Sequence, residues 1–126
     1  MADLEDVRRI ALSLPETTGE NGFAVRNKGK DKGFAWVWQE RVHPKKARVP
    51  CLSVIAIRTA GLEDKEMLIA TDPEKFFTEP HYNNFPAVLV RLANVEVEEL
   101  EELIVEGWRC QAPKTLVQEF DAGRKA

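Results

Sequence analysis

The chain has 126 residues, of which 44% are hydrophobic and 31% are charged, and its formal net charge is −3. This composition excludes a disordered chain, and the length suits one domain over residues 1–126. The apolar runs are too short to cross a membrane, and the N-terminus lacks the basic and then apolar pattern of a secretory signal. We therefore expect a soluble cytoplasmic protein with no membrane partner.

The first half of the chain predicts one helix followed by three strands. A helix is expected over about residues 4–14, because apolar residues recur there at helical spacing after the capping residue Asp3. The strands are expected over 23–28, 33–40 and 51–57, where β-branched and alternating residues dominate. Phe34, Trp36 and Trp38 alternate in the second strand and are predicted to share one face.

The second half predicts mainly helices, and it determines the fold class. In chain order we expect a helix over 62–72, a helical turn that starts at Pro73, a last strand within 86–95, a helix capped by Asn94 and a terminal helix after Pro113. Because strands and helices do not alternate regularly, the prediction is an α+β fold with a mostly antiparallel sheet and helices on one face. Residues predicted to form one core between the sheet and the terminal helices are Trp36, Val54, Val88, Leu100, Leu103 and Trp108.

Motifs for catalysis, metals or cofactors are missing from the sequence. Cys51 and Cys110 form no CxxC pair and have no histidine at metal-ligand spacing. His43 and His81, the only histidines, do not lie in a known nucleophile motif, and no glycine fingerprint for nucleotide phosphates is present. We therefore expect no catalytic residue, no cofactor and no tight metal site.

Several motifs resemble those of the MmcQ/YjbR family of small bacterial proteins. They are LPETTGENGFAVRNKGKDKGFAWVW, FFTEPHYNNFPAVLVRL and VEGWRCQAPKTL, and the resemblance covers nearly the whole chain. It implies a CyaY-like, that is frataxin-like, α+β fold. It also implies the DNA-binding role proposed for the family, through a double-wing arrangement.

The turn before the last strand is the first candidate site. His81 and Tyr82 have polar tips and Asn83 follows them in a loop, where side chains are available to ligands. The same residues equally suit a hydrogen-bonded structural turn bracketed by prolines, with Asn83 and Asn84 at positive backbone angles. Both interpretations remain open.

Charge separation along the chain provides the second candidate site. Residues 26–58 contain nine Lys or Arg against two acids, a net charge of +7, whereas the remainder carries −10. A concentration of positive charge on two hairpins suits contact with a phosphate backbone, although it also suits hairpins that merely stay soluble. The predicted contacts, including two basic residues outside this stretch, are Lys28, Lys30, Lys32, Arg41, Lys45, Lys46, Arg48, Arg91 and Lys114.

The functional prediction is a DNA-binding protein that contacts the phosphate backbone with little sequence specificity, because no base-reading motif is evident. The alternative is a small-molecule or metal-binding protein of frataxin-like fold without catalytic activity. Its candidate ligands are the acids Asp3, Glu5 and Asp6, which equally serve the dipole of the first helix. An enzyme centred on His81 and Tyr82 ranks third, since it lacks a nucleophile and a metal set.

Overall fold

A computed structural model describes residues 1–40 and 49–125. Its elements are α1 (Leu4–Leu12), β1 (Thr17–Gly19), β2 (Gly22–Asn27), β3 (Lys30–Glu40), β4 (Val49–Arg58), α2 (Leu62–Thr71), β5 (Phe76–Phe77), β6 (Ala87–Arg91), α3 (Val97–Gln111) and α4 (Lys114–Lys125). Short 3₁₀ turns span Pro80–Tyr82 and Leu92–Asn94. The predicted order of strands and helices is confirmed, and the short edge strands β1 and β5 are additions that the sequence did not predict.

Within the described residues, the strands form one sheet in the order β1-β2-β3-β4-β6-β5, and every neighbouring pair is antiparallel. The predicted α+β class is confirmed, and the sheet is more uniformly antiparallel than expected. No helix in these two ranges has both the length and the apolar character needed to span a bilayer.

The helices cover one face of this sheet. Alternation along β4 and β6 directs Ile55, Ile57, Val88 and Val90 into the same buried cluster as residues of α1 and α3, and side chains of α2 and α4 pack against it. Trp108 of α3 is fully buried in this cluster. The prediction that the helices share one face is therefore confirmed.

A bulge separates residues that were predicted to lie together on β3. Phe23 pairs with Ala35 and Ala24 pairs with Gly33, so Phe34 is the additional residue. Phe34 accordingly joins the cluster under the helices, whereas Trp36 and Trp38 pack on the opposite face. The predicted shared face was wrong because strict alternation fails at a bulge.

The predicted single core is correct for four of its six residues. Val88, Leu100, Leu103 and Trp108 belong to the helix-covered cluster. Trp36 and Val54 instead pack on the other face, with Ala56 and Leu89. Alternation in β4 and the bulge in β3 are the reasons for this error.

One predicted helix boundary was also wrong. The N-cap of α3 is Glu96, and Asn94 instead donates from its Nδ2 to the Glu74 carbonyl at 2.7 Å. The short helical turn predicted at Pro73 is present, because the amides of Lys75 and Phe76 donate to the Asp72 carbonyl at 3.1 Å, and the chain then enters β5. The predicted terminal helix after Pro113 is α4, which continues to Lys125.

Candidate nucleic-acid interface

The basic hairpin between β2 and β3 is tighter than its sequence suggested. Its two turn residues are Lys28 (φ 53°) and Gly29 (φ 79°), and Asn27 pairs with Lys30. Two consecutive positive φ angles are typical of the two-residue turn that matches the twist of antiparallel strands, and glycine adopts them without strain. The turn therefore sets Lys28 at the exposed tip of the hairpin.

Hydrogen bonds join this hairpin to the junction between α3 and α4. Asn27 donates from Nδ2 to the Gln111 carbonyl at 2.8 Å, and Gln111 donates from Nε2 to the Gly33 carbonyl at 3.0 Å. Lys114, which begins α4, lies three residues beyond this double attachment. The junction thus holds Lys114 at the same end of the sheet as the hairpin.

The register between β2 and β3 determines which way Lys30 and Lys32 face. Lys32 is paired with Val25, whose side chain belongs to the helix-covered cluster, and Lys30 is paired with Asn27, which bonds to α3. Paired residues of antiparallel strands share a face, so Lys30 and Lys32 lie on the side of the α3–α4 junction. Among the described residues, these two lysines, Lys28 and Lys114 are all exposed and make no ion pair.

Arg91 does not join these lysines. Its guanidinium lies 4.1 Å from the centre of the Phe77 ring and donates to the Pro73 carbonyl at 3.0 Å. Arg26, by contrast, belongs to the basic stretch, but it pairs with Asp31 at 3.2 Å. Neither arginine therefore adds an uncompensated charge to the hairpin end.

Arg41, Lys45, Lys46 and Arg48 lie outside the described residues. Glu40 and Val49, which flank their segment, are paired at the end of β3 opposite to the hairpin. At about 3.3 Å per residue, β3 separates these two ends by about 33 Å. The described part of the predicted interface is therefore the hairpin end, and the role of residues 41–48 stays a prediction.

The candidate ligand loop has clear structural contacts. The Trp36 Nε1 donates to the Tyr82 hydroxyl at 3.1 Å, and Tyr82 makes an edge contact with Phe85. Asn83 is exposed with φ −53°, so the predicted positive backbone angle was wrong there. The side chain of His81 lies outside the described part of the chain.

Lys65 of α2 holds this loop in place, and the sequence analysis missed it. The residue is only 2% exposed, and its Nζ donates to the carbonyls of Tyr82 and Phe85, the second at 2.9 Å. Burial lowers the pKa of this lysine from its ordinary value. The contacts of Lys65 favour the structural interpretation of the loop. A single lysine in a charged helix gives no sequence signal for such a role.

The acids proposed as metal ligands already have protein partners. Asp3 and Asp6 form a capping box with distances of 3.0 Å, and Glu5 pairs with Arg8 at 2.5 Å. The Arg9 hydrogen bond, followed by that from the Asp3 backbone, lowers the pKa of Asp6. In the portion of the chain that is described, no group of three or more His, Cys, Asp or Glu side chains could hold a metal ion.

Comparisons with known proteins agree with this α+β architecture. The YjbR family model matches residues 12–110, so the chain belongs to the YjbR family. The uncharacterized proteins Rv2570 of Mycobacterium tuberculosis and Mb2600 of Mycobacterium bovis are each 41% identical over 95% of this chain and 96% of their own length. The family that the sequence motifs predicted is confirmed.

A solved structure supports the fold alone. The crystal structure of Deinococcus radiodurans protein DR2400, a DUF419 domain, has a TM-score of 0.63 to this chain at 19% identity. The match covers 96% of this chain and 89% of that one. The CyaY-like relationship and the DNA-binding role that the family resemblance implied stay predictions.

Proposed function

We propose that this protein binds nucleic acid through the phosphate backbone, with little sequence preference and without catalysing a reaction. The observation that carries the proposal is the cluster of four exposed lysines at the hairpin end of the sheet, none of which makes an ion pair among the described residues. They are Lys28, Lys30, Lys32 and Lys114, and we call them the hairpin lysines.

The chemistry of this surface suits phosphate rather than bases. Lysine presents a compact positive charge without the planar fork with which arginine reads guanine, and the arginines described above are engaged with rings, carbonyls or an acid. Contacts of this kind position a protein on the backbone but carry no sequence information. Binding should therefore be strongly salt-dependent and weakly selective.

The expected salt dependence follows from the number of lysines. Four phosphate contacts give a slope of about −3.6 in log affinity against log salt on duplex DNA, which is roughly a hundredfold loss between about 50 and 200 mM. Residues 41–48 would increase this slope if they also contact the phosphates. Fluorescence anisotropy with a labelled duplex across a salt series measures it.

A matched pair of variants locates the site. Lys28→Gln with Lys30→Gln should reduce the magnitude of the slope by about 1.8, since two phosphate contacts are lost. Ala70→Glu with Ala93→Glu changes net charge by the same two units at exposed positions in α2 and in the turn after β6. This control should keep the wild-type slope. A Lys45→Gln/Lys46→Gln variant measures how much of the slope comes from the segment outside the described residues.

Two results would overturn the proposal. The first is that wild-type protein shows no binding at about 50 mM salt, where phosphate contacts are least screened. The second is that the hairpin variant and the control have equal slopes, because the lysines would then act only through net charge.

A further inference from the structure

A cavity of about 590 Å³ lies between α2 and α3, away from the hairpin lysines. Leu68 and Thr71 line its α2 wall, Glu99 and Leu103 line its α3 wall, and Phe76 lies among its lining residues from the sheet. Spacings of three and four residues place the residues of each wall on one helix face. The cavity therefore lies between two facing helical stripes.

The sheet forms the closed floor of this cavity. Ile57, Phe76 and Val88 line it from the helix-covered face, and all three are almost completely buried. Leu68 and Leu103 add partly buried apolar surface from the two helices. An apolar body of a ligand would be removed from water against these two leucines.

An ion pair crosses the cavity where α2 ends and α3 begins. Lys75 Nζ lies 3.0 Å from Glu99 on α3 and 3.4 Å from Asp72, which follows α2. Both acids accept from the same ammonium group, and the Glu99 hydrogen bond is the largest cause of the raised pKa of Lys75. Glu99 and Asp72 therefore neutralise the charge of Lys75, and this ion pair bridges one end of the cavity.

Acids without a described cation partner line the remaining walls. Asp64 on α2 and Glu102 on α3 make no ion pair among the described residues, whereas Glu106 pairs with Arg109 at 2.6 Å. Burial and then the charge of Glu106 raise the pKa of the Cys110 thiol, Arg58, which also lines the cavity, lowers it, and Asp64 raises it. The lining acids outnumber the two lining cations, Arg58 and Lys75, so the cavity favours a positive group over a negative one.

We propose that this cavity binds a small organic cation, an amine that carries an aliphatic or aromatic body. The apolar body would lie against Leu68 and Leu103, and the ammonium would face Asp64 and Glu102. The volume falls within the range of about 300 to 1,000 Å³ that is usual for small-molecule sites.

Three ligands with one alkyl chain test this proposal directly. Octylamine, octanol and octanoate present a positive, a neutral and a negative end, respectively. We expect octylamine to shift the backbone amide NMR signals of Leu68, Thr71 and Leu103 and to bind about fivefold more tightly than octanol. Octanoate should bind most weakly, because its charge repeats that of the walls.

Charge-matched variants distinguish the effect of the cavity acids on binding from the effect of net charge. Asp64→Asn with Glu102→Gln should bring octylamine to within about twofold of octanol, as the ion pairs are lost and the apolar surface is kept. Glu98→Gln with Glu101→Gln is the matched control, since both acids are exposed on α3 and do not line the cavity. Thr71→Lys, at an exposed position of the α2 wall, should weaken octylamine and spare octanol.

Any of three outcomes would overturn the proposal. Octanoate could bind as tightly as octylamine, or the shifted amides could lie outside the cavity. A basic amphipathic peptide could also shift the same amides while octylamine does not. DNA binding by the hairpin lysines does not enter this experiment, so the two proposals stand or fail separately.

Discussion

The two faces of the sheet are closed in different ways. The face under the helices buries long aliphatic side chains, and Ile55, Val88 and Val90 are completely or almost completely inaccessible there. On the opposite face, the buried cluster among the described residues consists of Val54, Ala56 and Leu89, and partly exposed side chains surround it. The same six strands thus have a conventional core on one side and a thin cover on the other.

Aromatic rings form most of that thin cover. Trp38 contacts Phe77 edge to face at a centroid distance of 5.8 Å, and the Arg58 guanidinium lies 5.0 Å from the centre of the Phe85 ring. Such exposed cation–π and ring contacts contribute about 0.5 to 1.5 kcal/mol each, less than burial of a large side chain. We therefore expect the helix side to contribute most of the stability, whereas the open side depends on small, separate contacts.

The largest expected effect on the unfolding free energy comes from replacing one tryptophan on each face of the sheet. Trp108→Ala on the helix side should cost about 3 to 5 kcal/mol of unfolding free energy, because it leaves a cavity in a fully buried site. Trp36→Ala on the open side should cost about 2 kcal/mol, mainly the hydrogen bond to Tyr82 and the edge contact with Phe85. Denaturant unfolding measures both values.

Equal costs for the two tryptophans would contradict the comparison, since the open face would then be a second core of similar strength. Trp108→Phe serves as the milder control, because it keeps a ring beside Phe120 and removes the 3.1 Å hydrogen bond from Nε1 to the Pro15 carbonyl. Its cost should be well below that of Trp108→Ala.

Much of the fold was predictable because local residue type and spacing agree with the observed helices and strands. The capping box at Asp3 and Asp6, the faces of β6 and the buried stripe of α3 all follow from spacing and residue type. Errors occurred where a neighbour in space decides the outcome. The bulge at Phe34 and the hydrogen bond from Asn94 to the Glu74 carbonyl are tertiary effects without a local sequence signal.

The candidate site was predictable only in part. Lys28, Lys30 and Lys32 were identified from charge density, but the common side of Lys30 and Lys32 depends on the register with β2. The attachment of Gln111 to the hairpin, which determines the position of Lys114, links residues that are 84 apart in the chain. Burial of Lys65 likewise depends on a distant loop, and helix periodicity cannot reveal it.

Lys65→Met tests whether this lysine maintains the cover of the open face. The variant leaves the carbonyls of Tyr82 and Phe85 without their donor, and we expect a loss of about 1 to 3 kcal/mol. Amide hydrogen exchange should become faster in residues 80–87 first. Lys114→Met, at an exposed lysine without a described ion pair, is the control and should change neither quantity. Unchanged exchange in residues 80–87 would show that Lys65 does not hold the loop.

The smallest predicted effect is the pH dependence that Lys65 adds to stability. Burial lowers the pKa of Lys65 below its ordinary value of 10.5, so between the folded-state value and 10.5 the unfolded chain binds more protons than the folded one. The unfolding free energy of the wild type, minus that of Lys65→Met, should therefore rise as pH increases through this window. A neutral amine keeps two N–H groups, enough for the Tyr82 and Phe85 carbonyls, so the bonds need not break as the charge is lost. Urea unfolding of both proteins from about pH 7 to about pH 10 measures this difference, in which other titrating groups cancel. A difference that falls with pH would mean that the two carbonyls stabilise the ammonium more than burial penalises it.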